Sequence, residues 1–280
     1  MAATSNNGDN TPTKEGIMPS FDLTDRVAIV TGGSQGFGKA IALALGDHGA
    51  NVAVVAREPE PVTVGRERPH ASVNPVVDDL KANGSRAIGI TADVRDQEQV
   101  DSMVAQTMAE FGRVDILVNV VGGSWGETFR SGPLVELEPH DFIECYRLNV
   151  LTAFMSSKAV QPIMKAQGKG VIVNIASGAG VNPGIGQGAY GAAKAAVINM
   201  SKSMAFEWAP DIRVNSIALG GIETPHRPMW VESVQQTVTS RNAMGRLGTP
   251  DEHAGTVLWL VSDAAAFITG EVIAANGGAR

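Results

Sequence analysis

Two residues with acid–base chemistry, Tyr190 and Lys194, lie four positions apart in the segment GQGAYGAAKAAVINMS, residues 186–201. Glycine, alanine and other small or apolar residues make up most of this segment, and the chain has only two tyrosines. In a helix the two side chains share one face, and an ammonium group beside a phenol lowers the pKa of the phenol. The pair could therefore deliver a proton to a substrate, although most such pairs are exposed and have no function.

A glycine-rich turn, VTGGSQGFGKAIA, follows the first apolar run and opens a helical pattern. Its glycines have the spacing G-x-x-x-G-x-G, which lets the backbone approach a pyrophosphate at a helix N-terminus. A close-packed turn is the alternative, but the position after a first strand favours a dinucleotide site. The cofactor contacts predicted in this turn are Gly32, Ser34, Gln35, Gly36, Phe37 and Gly38.

The end of the second apolar run bears on the choice of nicotinamide cofactor. An acidic residue there would bind the ribose hydroxyls of NAD and repel the 2′-phosphate of NADP. The run ends instead with Ala56 and Arg57, whose guanidinium suits a phosphate. NADP(H) is therefore favoured over NAD(H). Glu58 weakens this inference and Arg57 could be a solvated loop residue, whereas Arg66 and Arg68 could reinforce or replace it.

Short apolar runs alternate with helical patterns along the chain, which predicts a parallel, doubly wound sheet. Each run is continuous, as in strands buried on both faces. Gly84 and Gly112 are expected to end helices, and Thr249 to begin one. We predict a Rossmann-like α/β fold of about seven strands with helices on both faces. The runs cover residues 26–31, 51–56, 86–91, 114–121, 171–176, 213–218 and 271–275.

Composition limits the classes of partner and the compartment. We expect one domain over residues 21–280, preceded by a disordered arm at 1–20 that lacks the apolar core of a signal peptide. A net charge of −7 gives no indication of binding to nucleic acid or to an anionic membrane. The single Cys145 cannot form an internal disulfide and is expected to be a small core residue, so a cytoplasmic location is predicted. The five histidines have no ligand-like spacing, and no metal is expected.

Eight motifs occur along the chain, namely TGGSQGFG (31–38), ADV (92–94), GRVDILVN (112–119), LNV (148–150), YGAAK (190–194), VNSIALGGIET (214–224), GRLGTP (245–250) and ITGEVIAANGG (268–278). In this order they resemble the short-chain dehydrogenase/reductase family, in its single-domain branch with a T-G-x-x-x-G-x-G turn. The resemblance covers roughly residues 20–280. It implies a site made of Asn149, Ser177, Tyr190 and Lys194, with Ser177 placed 13 residues before Tyr190.

The resemblance also assigns roles to these residues. Tyr190 would protonate the carbonyl oxygen as hydride transfer builds charge on it, and Lys194 would lower the pKa of Tyr190 and bind the nicotinamide ribose. Ser177 would hold the substrate oxygen. Asn149 would bind a water that links Lys194 to solvent, or it could be a satisfied buried amide.

Further cofactor contacts follow from the same resemblance. Asp93 and Val94 should flank the adenine and Asn119 should lie under it, while Ile222 and Thr224 should hold the carboxamide. Asp93 could also be a helix N-cap.

The chain departs from the family pattern at three places. Val120–Val121 replaces an Asn-Ala pair, which should alter packing rather than activity. Leu219 replaces a proline beside the nicotinamide, and the connection at 57–73 is unusually long. The loss of the proline leaves the conformation of that loop and the preferred substrate open. The long connection could cover the adenosine end of the cofactor or be a flexible insertion.

The substrate cleft is expected to lie between the segments 122–132, 178–188 and 222–235. Trp125, Met229 and Trp230 would line it beside Ser177 and Tyr190, which suggests an apolar or cyclic carbonyl or alcohol. The aromatic side chains could equally pack a lid or a subunit interface.

The leading hypothesis is an NADP(H)-dependent carbonyl reductase or alcohol dehydrogenase. A 3-oxoacyl-thioester reductase that uses acyl carrier protein is the alternative within this class. A cofactor-binding regulator without turnover is the alternative from another class. The resemblance implies a homo-oligomer, either a tetramer or a dimer.

Overall fold

The central sheet of the protein contains seven parallel strands in the order β3-β2-β1-β4-β5-β6-β7. The computed structural model describes residues 20–58, 71–124, 128–223 and 239–279. This topology confirms the predicted Rossmann-like α/β fold. The strands are β1 (Val27–Thr31), β2 (Asn51–Ala56), β3 (Ala87–Thr91), β4 (Ile116–Asn119), β5 (Gly170–Ile175), β6 (Ile212–Leu219) and β7 (Val272–Ala275).

Helices cover both faces of the sheet. One buried cluster packs α1, α2 and α7 against one face, and a second packs α3, α5 and α6 against the other. Successive residues of β1 alternate between the two clusters, because neighbouring side chains of a strand point to opposite faces. The helices are α1 (Gly36–Asp47), α2 (Asn74–Ala82), α3 (Gln97–Phe111), α4 (Pro139–Tyr146), α5 (Thr152–Gln167), α6 (Gly188–Trp208) and α7 (Pro250–Val261).

The predicted helix boundaries agree with the structure. Helix α3 ends at Gly112, and Gly84 follows the C-cap of α2. Thr249 caps α7 and forms a reciprocal capping box with Glu252. The prediction that every strand is buried on both faces is wrong for β3 and β7, which contain half-buried and exposed residues because they form the two edges of the sheet.

Some predicted features fall at or beyond the edges of the described residues. The predicted arm, apart from Ser20, lies outside them, as do residues 59–70 of the long connection. Leu219, which replaces the family's proline, is the last residue of β6 and pairs with Ala275. Within the described ranges no helix is both long and apolar enough to cross a membrane.

The strand order reverses direction at β1, which lies between β2 and β4. Open α/β sheets bind ligands at the carboxyl ends of the strands beside such a reversal. The glycine-rich turn after β1 and the loops after β4 and β5 all start at this edge.

Candidate active site

The turn between β1 and α1 forms a cradle that requires glycine at two positions for different reasons. A Cβ atom at Gly38 would overlap the carbonyl oxygen of Gly32. Gly36 has a φ of +53°, and a Cβ atom there would point into open space. No described side chain caps α1, so the amides of its first turn are available to an anion. These features fit the pyrophosphate of a dinucleotide.

Replacing Gly38 by alanine should remove this fit. We expect a loss of at least about tenfold in nicotinamide cofactor affinity and a destabilisation of about 1–3 kcal/mol, because the new methyl group meets backbone that cannot move aside. Gly255→Ala is the matched control, since Gly255 also lies in a helix but has open space around it. Alanine there should leave cofactor binding unchanged and stabilise the helix by up to about 1 kcal/mol. Fluorescence titration and thermal unfolding measure both effects, and equal behaviour of the two variants would contradict the cradle.

Strands β2 and β3 end side by side at the predicted adenosine end of the crevice. The N–H of Ala92 donates to the oxygen of Ala56 at 2.9 Å, so Arg57 and Asp93 follow neighbouring strand ends. The alternative role of Asp93 as a helix N-cap is wrong. Asp96 caps α3 by accepting hydrogen bonds from two backbone amides, whereas Asp93 binds the guanidinium of Arg95.

The side chain of Asn119 points into a buried polar network. Its Nδ2 donates to Oγ of Ser157 at 3.0 Å and to Oδ1 of Asn174 at 2.8 Å. Asn174 in turn donates to Oγ of Ser201 at 2.9 Å. The amide of Asn119 therefore ties β4 to β5, α5 and α6, and contact with adenine stays a prediction. Val94, its neighbour in the predicted adenine pocket, is buried.

Tyr190 and Lys194 lie one turn apart on α6, as the spacing predicts, with Nζ of Lys194 5.8 Å from the centre of the Tyr190 ring. The side chain of Ser177 lies close enough to Tyr190 to act on the pKa of its phenol. Nζ of Lys194 donates to the carbonyl oxygen of Ile175 at 2.7 Å. The structure thus brings together three of the four residues implied by the resemblance.

Burial dominates the protonation of this pair. It raises the pKa of Tyr190, and the nearby side chain of Ser177 acts in the opposite direction. It also lowers the pKa of Lys194 to about 8. We expected Lys194 to lower the pKa of Tyr190, but in the structure desolvation of the phenol is the larger influence.

Two glycines bring Ser177 up to α6. A Cβ atom at Gly180 would lie 2.7 Å from the carbonyl carbon of Lys194, and one at Gly191 would lie 2.7 Å from the oxygen of Ala179. The loop after β5 and the first turns of α6 therefore pack backbone against backbone. Gly180 and Gly191 therefore have a structural role in this contact.

Asn149, the fourth implied residue, lies in a π-helical turn, Arg147–Leu151, between α4 and α5. Its Nδ2 donates to the oxygens of Cys145 and Gly123 at 2.9 and 3.0 Å, and its Oδ1 accepts from the N–H of Gly123 at 3.0 Å. A Cβ atom at Gly122 would lie 2.6 Å from this Oδ1 and 2.9 Å from Nζ of Lys194. The amide of Asn149 is thus satisfied within the protein and holds the loop after β4 against Lys194, and the predicted water link from Lys194 to solvent stays a prediction.

Cys145 is fully buried beneath this site. Burial raises the pKa of its thiol to about 11, so the thiol is neutral near pH 7. It is a core residue, as expected. The described residues contain no group of three or more His, Cys, Asp or Glu side chains that could hold a metal ion.

A cleft of about 560 Å³ lies beside the loop after β5 and the start of α6. Leu134, Val181, Pro183 and Ile185 line it with apolar atoms. The segment 178–188 was predicted to line the substrate cleft, but Leu134 was missed because it belongs to a connection without a motif. Ile222 forms an isolated bridge with Gly248. Four residues of the predicted site lie outside the described residues, namely Trp125, Thr224, Met229 and Trp230.

Comparisons with known proteins define the class. A family model described as Enoyl-(Acyl carrier protein) reductase matches residues 32–280. The chain is 38% identical to the (2S)-[(R)-hydroxy(phenyl)methyl]succinyl-CoA dehydrogenase subunit BbsD of Thauera aromatica, over 91% of this chain and 97% of that protein. It is 36% identical to a 3-oxoacyl-[acyl-carrier-protein] reductase of Synechocystis, with the same coverage.

A solved structure is similar over nearly its whole length. It is a 7α-hydroxysteroid dehydrogenase complexed with NADH and 7-oxo glycochenodeoxycholic acid, with a TM-score of 0.83 and 31% identity, covering 92% of this chain and 96% of that one. The relatives are oxidoreductases that act on hydroxyl or carbonyl groups. The chain belongs to the short-chain dehydrogenase/reductase family, whose members use NAD(H) or NADP(H).

Proposed function

We propose that the protein is an NADP(H)-dependent oxidoreductase that transfers a hydride between the nicotinamide and a carbonyl or secondary alcohol, mainly as ketone reduction. One observation carries this proposal. The side chain of Ser177 lies close enough to act on the phenol of Tyr190, next to a buried Lys194, at the carboxyl edge of the sheet.

Each residue has a distinct task in this reaction. NADPH, when bound, supplies the hydride. Ser177 and Tyr190 donate hydrogen bonds to the carbonyl oxygen of the substrate, and Tyr190 gives it a proton as negative charge develops there. The charge of Lys194, held near the ring, stabilises the phenolate that remains. Asn149 keeps the loop after β4 in place against Lys194.

Cofactor binding is proposed for the cradle after β1 and for Asp93, Val94, Asn119, Ile222 and Thr224. NADP(H) is preferred because β2 ends with Ala56 and Arg57 instead of an acidic residue. The guanidinium of Arg57 would bind the 2′-phosphate.

The substrate is proposed to be an apolar or cyclic ketone. The apolar cleft beside the loop after β5 supports this, as does a similar structure that holds an oxo derivative of a bile acid. Trp125, Met229 and Trp230 would contribute to the same site. A 3-oxoacyl thioester is the second candidate, because the relative from Synechocystis is named as an acyl-carrier-protein reductase.

Oxidation of NADPH by a panel of substrates tests the reaction. We expect turnover with cyclic and bulky apolar ketones, and a higher kcat/KM with NADPH than with NADH. Acetoacetyl-CoA and 3-oxoacyl carrier protein are the comparison substrates. A kcat/KM for a thioester that exceeds the kcat/KM for every ketone would replace the first substrate class with the second.

A homo-oligomer, as a tetramer or dimer, is also proposed. Large apolar side chains are exposed along α4 and the start of α5, where a second copy could cover them. These side chains are Phe142, Ile143, Tyr146, Leu151 and Phe154. The cytoplasmic location and a single domain over residues 21–280 remain part of the proposal.

A further inference from the structure

The carboxylate of Asp93 lies next to the site proposed for the 2′-phosphate. It comes from the end of β3 and not from the end of β2. Ala56 pairs with Thr91 across β2 and β3, and the following residues continue side by side. Arg57 therefore lies close enough to Asp93 for its charge to act on the Asp93 carboxyl. An uncompensated Asp93 would repel a 2′-phosphate and attract Arg57 away from it.

Arg95 covers this carboxylate with a two-point contact. Its Nε lies 3.0 Å from both oxygens of Asp93, and its Nη2 lies 2.5 Å from Oδ2. The backbone N–H of Arg95 donates to Oδ1 at 2.9 Å. Both side chains are about one-quarter to one-third exposed, at 30% and 25%. Such bidentate pairs fix both groups and compensate the carboxylate charge.

The protonation of Asp93 agrees with this arrangement. Burial raises its pKa, but hydrogen bonds from Arg95 and the charges of Arg95 and Arg57 outweigh burial and hold the pKa below its usual value. Asp93 is therefore ionised at neutral pH. Removal of Arg95 would leave this ionised carboxylate without its two-point partner.

We propose that Arg95 is a specificity determinant for NADP(H): it neutralises Asp93 and so removes the repulsion between this carboxylate and a 2′-phosphate. The inference rests on the proposed function. NADH carries no 2′-phosphate, so the charge balance at this edge should affect it little. A positioning role of this kind predicts a change in the ratio of the two affinities, which a general loss of structure would not produce.

Titration of the intact protein with NADPH and NADH tests the inference. In Arg95→Gln the dissociation constant for NADPH should rise about tenfold, while that for NADH should stay within about twofold. Adding Asp93→Asn to this variant removes the uncompensated charge and keeps an oxygen that can accept a hydrogen bond. The double variant should bind NADPH more tightly than Arg95→Gln does.

Arg86→Gln is the matched control, because Arg86 precedes β3 at its other end and pairs with Glu110 at the surface. It removes the same charge and should leave both affinities unchanged. Equal weakening of NADPH and NADH in Arg95→Gln, or a double variant that stays weak for NADPH, would overturn the role of Arg95. These outcomes leave the cofactor preference itself intact.

Arg57→Ala and the wild type test the underlying cofactor preference separately. We expect the wild type to bind NADPH more tightly and Arg57→Ala to lose most of this difference. Wild-type protein that binds NADH as tightly as NADPH would overturn the NADP(H) proposal, and the role of Arg95 with it.

Discussion

Replacing Tyr190 by phenylalanine should reduce kcat/KM for ketone reduction by about a thousandfold or more, because the substrate oxygen loses its proton donor. The ring still fills its place on α6, and the substitution removes only the hydroxyl group. The dissociation constant for NADPH should therefore change by less than about twofold. Steady-state rates of NADPH oxidation and a fluorescence titration measure the two effects.

The only other tyrosine provides a matched control. Tyr146 lies on α4 and is 45% exposed, so Tyr146→Phe removes the same hydroxyl outside the site. It should retain the wild-type rate. Comparable activity in Tyr190→Phe and Tyr146→Phe would contradict the proposed proton donor, whereas a loss of NADPH binding in Tyr190→Phe would indicate a structural role.

Replacing Lys194 by methionine should abolish turnover and yet stabilise the free protein at neutral pH. Burial lowers the pKa of Lys194 from 10.5 to about 8, so the unfolded chain holds the proton more tightly. At pH 7 this costs the native state about 3 kcal/mol. The variant escapes that cost but leaves the oxygen of Ile175 without its donor, a loss of about 1–3 kcal/mol. A net stabilisation of about 1 kcal/mol follows.

The pH dependence gives the sharper test of this prediction. Between pH 8 and 10.5 the unfolded wild type carries a proton that the native state has released, so wild-type stability rises with pH in this window. The free energy of unfolding of Lys194→Met, relative to wild type, should fall by about 3 kcal/mol from pH 7 to pH 10.5. Lys202→Met, at an exposed position of the same helix, should show no such change. A constant difference for Lys194→Met across this range would contradict the burial argument.

Much of the fold could be predicted because it depends on local patterns. The apolar runs and glycine positions identified seven strands and the turn before α1, and the spacing of Tyr190 and Lys194 placed both on one face of α6. The errors occurred where the outcome depends on distant residues. Burial at β3 and β7 depends on strand order, which a periodic pattern does not contain.

The finer features of the site could not be predicted from the sequence either, because they also depend on contacts that local patterns do not contain. Asp93 and Asp96 both precede α3, and the structure shows that Asp96 caps the helix whereas Asp93 binds Arg95. The clamp of Asn149 on Gly123 joins residues 26 positions apart. The pKa of Tyr190 depends on how fully the surrounding elements exclude water, so its direction could not be read from the neighbouring lysine.

Transfer of deuterium from NADPH labelled at C4 of the dihydronicotinamide tests the central claim most directly. We expect the alcohol formed from an accepted ketone to gain one mass unit at its carbinol carbon with one of the two C4 epimers, and the product to be absent with Tyr190→Phe. Binding of NADPH without labelled alcohol from any ketone or 3-oxoacyl thioester would contradict the proposed enzyme.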